Sequence, residues 1–288
     1  MPRLWLHVGL FLASCVTTYL AGGAYFAATL MSILLAHELG HYIVGRRAGA
    51  DMSPPYFLPT PYLGYGTLGA VIGMRTPIAD RNVLFDVGAA GPVAGLVVAL
   101  PLLVIGLLLS PVGPPAPGNV MEGNSILYAL IKLAVFGRWL PGGGVDVNLH
   151  PMGFAAWVGL LITAINLMPV GQLDGGHIAR AILGDRHELL SARLNVALPL
   201  IGLAVGGVMV ATALDAGKDA WGAVAYGGHG LAPWCVWALL LWGMRHQAGA
   251  YHPPVDAAPL DPGRRRRAIA MLVLFCLIVT PVPIRPVL

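Results

Sequence analysis

Residues 37 to 41 read HELGH, inside the apolar run SILLAHELGHYIVGRR. On a helix His37 and His41 stand four positions apart, so both imidazoles leave one face and can grip one ion. Glu38 is offset far enough to reach a water bound to that ion, which is the mechanical content of HExxH. Arg46 and Arg47 mark the end of the run, which puts His41 roughly 7 to 10 Å inside that boundary at 1.5 Å per residue. An ionisable group at membrane depth costs at least about 2.5 to 3.5 kcal/mol at a helix centre, so Glu38 is a functional candidate by default. A buried histidine pair packed on polar neighbours is the plainer alternative, and a metal ion accounts for the three residues better.

Two histidines leave tetrahedral zinc short, because a catalytic site has three protein ligands and one open position. The segment NLMPVGQLDGGH, residues 166 to 177, carries Asn166, Asp174 and His177 among helix-interrupting Pro169, Gly171, Gly175 and Gly176. Irregular backbone at membrane depth is tolerated where protein or a cavity covers it, so a site belongs there. Asp174 is the expected third ligand, a carboxylate beside glycines that let the backbone approach. His177 competes for that place, or is an interfacial histidine. Asp86 either orients a neighbour or caps a helix start.

These residues need elements to hold them, and composition says which. The chain has 288 residues, 57% hydrophobic and 10% charged, against about 25% charged in soluble domains. The expectation is an all-α polytopic membrane protein of about six to seven spanning helices. Candidate spans are 4–21, 24–45, 83–109, 151–168, 190–213, 221–244 and 268–284. The first follows a single arginine and reads as a retained helix rather than a signal peptide. A short membrane-embedded β-hairpin or re-entrant segment is expected between the second and third, where TLGAVIGM has strand character, with a glycine-rich connector as the alternative. SILYALIKLAVFGRWL is too short and polar to span and reads as interfacial. Residues 1–288 form one membrane domain, with a catalytic core at about 24–190 and accessory helices at about 190–288. Cys15, Cys235 and Cys276 lack metal-ligand spacing and read as small apolar residues.

With the N-terminus in the cytosol, one side collects Arg3, Arg46, Arg47, Arg75, Arg81, Arg180, Arg186, Arg193, Arg245 and Arg264 to Arg267, 13 of the 17 basic residues. The positive-inside rule makes that side cytosolic, and both motifs end on it. The net charge of +4 then calls for no nucleic acid, since the four-arginine run serves as a topological anchor on anionic lipid. Gly88, Gly91 and Gly95 read as a helix-packing stripe. His150, His229, His246 and His252 read as solvated or interfacial.

At HELGH and NLMPVGQLDGG the sequence resembles the site-2 protease family of intramembrane zinc metalloproteases, and again at FDVGAAGPVAG, residues 85 to 95. The resemblance implies His37, His41 and Asp174 as Zn2+ ligands, Glu38 as the catalytic carboxylate and Asn166 as a polar group near the substrate. It also implies a membrane-embedded hairpin before the third span. It covers about half the chain, and there is no room for the PDZ or nucleotide-sensing modules of many relatives. The implied partners are a transmembrane protein substrate and the bilayer. The implied reaction is peptide hydrolysis near the cytosolic face, by default of a bacterial inner membrane. Asn166 donates to the developing oxyanion or caps backbone. A metal or proton transporter, or a non-catalytic scaffold, are the competing classes. The first needs polar residues continuing across the membrane, and the second has no use for Glu38.

Overall fold

The computed structural model describes residues 4–62, 64–115 and 120–287. Helix α1 (Leu4–Arg47) has 44 residues and would be about 66 Å long if straight, twice a hydrocarbon core. It folds at Gly23, whose φ of 78° and ψ of −175° are open in practice to glycine alone. Phe11 and Cys15 share a cavity with Ala27, Met31 and Leu35, so the two arms lie back to back. The expected spans 4–21 and 24–45 therefore meet at one residue, without a loop.

Strands β1 (Tyr56–Pro59) and β2 (Thr67–Val71) form an antiparallel pair along the first arm of α1. His7 Nδ1 donates to the Pro55 carbonyl at 3.1 Å, Phe11 meets Phe57 edge-on, and Thr17 Oγ1 donates to the Gly66 carbonyl at 2.6 Å. The pair thus follows the arm for about ten residues, roughly 15 Å of rise. Helix α2 (Arg81–Leu108) opens at Asp80, whose carboxylate accepts from the amides of Asn82 and Val83. Asp86 is therefore not the cap. It receives Nε and Nη2 of Arg264 in a bidentate pair at 2.8 to 3.1 Å, so that arginine ties the C-terminal region to α2 rather than serving lipid alone.

The far end of the molecule is built from β3 (Val112–Gly113), β4 (Val120–Glu122), α3 (Ile126–Phe136) and β5 (Asp146–Val147), with β3 paired to β5. Helix α3 exposes Ile126 and Leu130, while its Lys132 is completely buried. Acidic partners from β4 and β5, invisible as neighbours in the sequence, draw it in. Helix α4 (Pro151–Asn166) returns towards the arginine-rich end, followed by α5 (Asp174–Leu183), α6 (Arg186–Asp215), α7 (Ala220–Ala248), α8 (Pro262–Ile278) and β6 (Ile284–Pro286), which pairs with β4.

Among the described residues, four helices are long and apolar enough to cross a membrane: α1, α2, α6 and α7. The stretches expected as spans at 151–168 and 268–284 form α4 and α8, helices of 16 and 17 residues, about a turn short of a full crossing. Helix α4 is apolar all round because protein surrounds it: Ala155, Ala156, Trp157, Val158 and Leu160 are all buried. Helices α1, α2 and α4 pack on one another, while α6 and α7 pack chiefly on each other. Large apolar side chains face outward on α2 and α6, among them Val93, Val97, Val196 and Leu200, as lipid contact requires. His252, expected near solvent, is buried.

The fold at Gly23 yields a direct test. Gly23→Ala forces a side chain into a glycine conformation at a cost of about 1 to 3 kcal/mol, and should lower the melting temperature in detergent by several degrees. Gly9→Ala, on the same helix with open space around its Cα, should leave it unchanged.

Candidate metal centre

Three side chains converge where the second arm of α1 ends beside the start of α5. His37 Nε2 lies 3.1 Å from Asp174 Oδ2, His41 Nε2 lies 3.2 Å from Asp174 Oδ1, and the two Nε2 atoms are 3.2 Å apart. These are the His, Cys, Asp and Glu side chains that could jointly hold an ion among the described residues. Zinc bonded tetrahedrally at about 2.0 to 2.1 Å sets its nitrogen and oxygen ligands about 3.3 to 3.4 Å apart. The Nε2–Nε2 distance and each imidazole's contact with Asp174, made to a different carboxylate oxygen, come near that figure, and two imidazoles with a monodentate carboxylate leave one position free, the arrangement of a catalytic rather than a structural zinc.

The tautomer is fixed as well as the spacing. His41 Nδ1 donates to the Val87 carbonyl of α2 at 2.8 Å, which leaves Nε2 with its lone pair turned to the site. An imidazole–carbonyl bond of this kind is the usual outer support of a ligating histidine. Helix α2 can come this close because it presents glycines there. A Cβ on Gly91 would run into the His41 ring, and one on Gly95 would press on His37 at 3.2 Å. The stripe read from sequence as helix packing thus packs against the ligand side chains themselves.

Asp174 is delivered by the break between α4 and α5. It is the first residue of α5, and Gly175 just behind it lies so close to the Leu167 carbonyl that any Cβ would overlap. That contact draws the first turn of α5 against the end of α4. Asn166, the last residue of α4, directs its Nδ2 to His37 Nε2 at 3.4 Å, while the capping amide comes from Leu167. Glu38 is buried and within electrostatic reach of both His41 and Asp174.

His177 is not brought into this group. Its Nδ1 donates to His252 Nε2 at 2.7 Å, and His252 Nδ1 donates to the Pro253 carbonyl. Burial and the neighbouring His252 push His177 down to about 3, so the ring is neutral and acts as a hydrogen-bonding strut. Asp86 also lies outside the cluster, held by Arg264. Sequence reasoning missed the Val87 carbonyl and the His177–His252 contact. A backbone acceptor has no signature of its own, and 75 residues separate the two rings.

The model of Peptidase family M50 matches residues 25–209. A rice (Oryza sativa subsp. indica) protein described as probable zinc metalloprotease EGY2, chloroplastic, is 34% identical over 188 residues, 64% of this chain and 33% of its own. The Arabidopsis thaliana probable zinc metalloprotease EGY1, chloroplastic, is 33% identical over 184 residues, 62% of this chain and 32% of its own. A japonica rice EGY1 is 29% identical over 261 residues, 88% of this chain and 40% of its own. The chain thus spans about a third of the length of the first two relatives. No solved structure matches.

Gly91→Ala puts a methyl group where the His41 ring sits. It should weaken zinc binding by about 10- to 100-fold, the scale on which outer support matters, as read by competition with a chromophoric chelator. Val93→Ala, on the outward face of α2, should bind zinc as the wild type does.

Proposed function

We propose, because the chain belongs to Peptidase family M50, that it is an intramembrane zinc metalloendopeptidase acting on transmembrane segments of other membrane proteins. The observation that carries this reading is the convergence of His37, His41 and Asp174 at 3.1 to 3.2 Å with His41 oriented from behind by Val87. Zinc, once bound there, lowers the pKa of water towards about 7 and polarises a scissile carbonyl.

The chain's own residues do the rest. Glu38 takes a proton from the attacking water as its oxygen bonds to the carbonyl carbon. The same carboxyl passes a proton to the amide nitrogen as the C–N bond breaks, releasing a carboxylate and an amine. Asn166 donates from Nδ2 to the carbonyl oxygen as negative charge builds there. A helical substrate hides its peptide bonds in its own hydrogen bonds and must first unwind. The edge of the β1–β2 pair is suited to hold the released segment as an added strand, and the pair's run along α1 supports a membrane-embedded place for it.

The two arms of α1 together with α2, α4, α6, α7 and α8 offer seven helical segments for the bilayer, with the shortest at α4 and α8. The site lies at the end where Arg46 and Arg47 cluster, which favours the cytosolic face of the membrane, with a bacterial inner membrane as the default. A transporter would need polar side chains from this site to the opposite face. Between Phe26 and His37 the second arm of α1 offers Thr29 and Ser32, and between Phe154 and Asn166 helix α4 offers Thr163. Each hydroxyl of Ser32 and Thr163 is committed to a carbonyl one turn back. That is no ion path.

Metal content and cleavage separate the roles. Purified protein should hold one zinc per chain, and both His37→Ala and Asp174→Ala should lose it. Glu38→Gln should keep zinc and cut a model transmembrane substrate about 10²- to 10⁴-fold more slowly, the span of general acid–base catalysis. Zinc unaffected by Asp174→Ala would break the ligand set.

A further inference from the structure

A second charged cluster lies at the opposite end of the molecule, and the mechanism above does not use it. Lys132 Nζ is completely buried 3.3 Å from Asp146 Oδ1 and 3.7 Å from Glu122 Oε1, and it stands 4.8 Å above the Tyr128 ring. Tyr128 donates its hydroxyl to Glu122 Oε1 at 2.9 Å, and the Val147 amide donates to Asp146 Oδ1 at 2.8 Å. Asp146 Oδ2 is buried and has no hydrogen-bond partner among the described residues. Both carboxylate side chains are more than nine-tenths buried, at 8% and 5% exposure. Two carboxylates share one ammonium, so with both ionised the cluster is one positive charge short. An uncompensated charge in such surroundings costs several kcal/mol. Burial, with Asp146 adding to it and Lys132 opposing, pushes Glu122 above its ordinary range.

Glu122 and Asp146 line a cavity of about 500 Å³. Its other walls include three aromatic rings, Phe26, Tyr65 and Phe154, whose centroids are 5.9 to 6.4 Å from one another. Aromatic residues and carboxylates lining one cavity are the chemistry that binds an organic cation, by cation–π attraction added to charge. A metal ion fits poorly, because Lys132 already occupies the space between the carboxylates. The cavity also has a fixed relation to the metal centre. Phe26 and His37 are on one arm of α1, and Phe154 and Asn166 are both on α4. Eleven and twelve residues of helix respectively put the two sites about 16 to 18 Å apart along the bundle.

We propose that this cavity is an exosite for the lysine or arginine that flanks the outer end of a transmembrane substrate. Seating that cation sets the depth of the substrate, and hence which peptide bond reaches Glu38. The inference rests on the proteolytic reading, and it commits to a substrate side chain because the long apolar stem of a basic residue flanking a span lets its charge reach a polar site some way from its own backbone.

The test measures binding apart from cleavage. Two fluorescent 20-residue Leu/Ala transmembrane peptides, with either one Lys or one Gln at the outer flank, are titrated against Glu38→Gln protein in phosphatidylglycerol nanodiscs, whose lipid carries no ammonium group. The Lys peptide should bind about tenfold more tightly. That preference should vanish in Glu38→Gln carrying Tyr65→Leu, which leaves the ionic cluster intact, and in Glu38→Gln carrying Asp146→Asn. Equal affinity of the two peptides overturns the exosite, as does a preference that survives Tyr65→Leu. A preference abolished by adding phosphatidylethanolamine assigns the cavity to a lipid headgroup and overturns the substrate assignment. Wild-type protein with zinc that shows the preference and cuts neither peptide would count against the proteolytic reading and leave the cation site standing.

Discussion

Everything in this structure answers to the cost of placing two imidazoles and two carboxylates in an apolar slab. Such groups stay there only if each has a partner and the partners are held in place. His37, His41 and Asp174 satisfy one another within 3.1 to 3.2 Å, and His41 spends its remaining nitrogen on a backbone carbonyl. Each contact demands a backbone at short range. That demand explains why α2 is glycine-faced opposite the histidines and why α4 stops at Asn166 to let α5 begin at Asp174. Close approach of backbone, more than apolar volume, shapes the core around the site.

The same rule governs the opposite end, with a different outcome. There a lysine lies between two carboxylates, one carboxylate oxygen has no partner among the described residues, and the two acidic residues line a cavity together with aromatic ones. The metal centre needs an ion to finish its coordination, and the outer cluster needs a cation to finish its charge. The two share the second arm of α1 and all of α4, while the helix between them is almost wholly apolar. A substrate lying along that path would be gripped at its polar end and cut where its helix opens.

Much of the site was readable because HExxH encodes geometry locally. Four residues on a helix fix which side chains share a face, whatever the rest of the chain does. Asp174 was readable from the glycines around it, since a broken helix at membrane depth has few purposes. His177 stood as a rival for the same place, and nothing local separates it from Asp174. The deciding partner, His252, comes from a loop 75 residues away. The burial of Lys132 was not readable for a similar reason: only the β3–β5 and β4–β6 pairings bring Asp146 and Glu122 to it. The reversal at Gly23 was half visible. Two apolar runs separated by AGG imply a turn, but the reading allowed for a loop where one glycine suffices.

The C-terminal helices look peripheral by position, since α6 and α7 mostly pack on each other, yet two contacts carry them to the ligands. Arg264 on α8 clamps Asp86, which immediately precedes Val87, whose carbonyl orients His41. His252, in the segment between α7 and α8, accepts from His177, one turn beyond Asp174 on α5. The first reaches His41 through Asp86 and Val87, and the second reaches Asp174 through His177 and one turn of α5. A shift of the segment from 250 to 264 would therefore move Val87 and the first turn of α5 together, and the tetrahedral edges would change at His41 and Asp174 at once. Both contacts cross the boundary expected near residue 190, so the positions of His41 and Asp174 depend on residues from both sides of it.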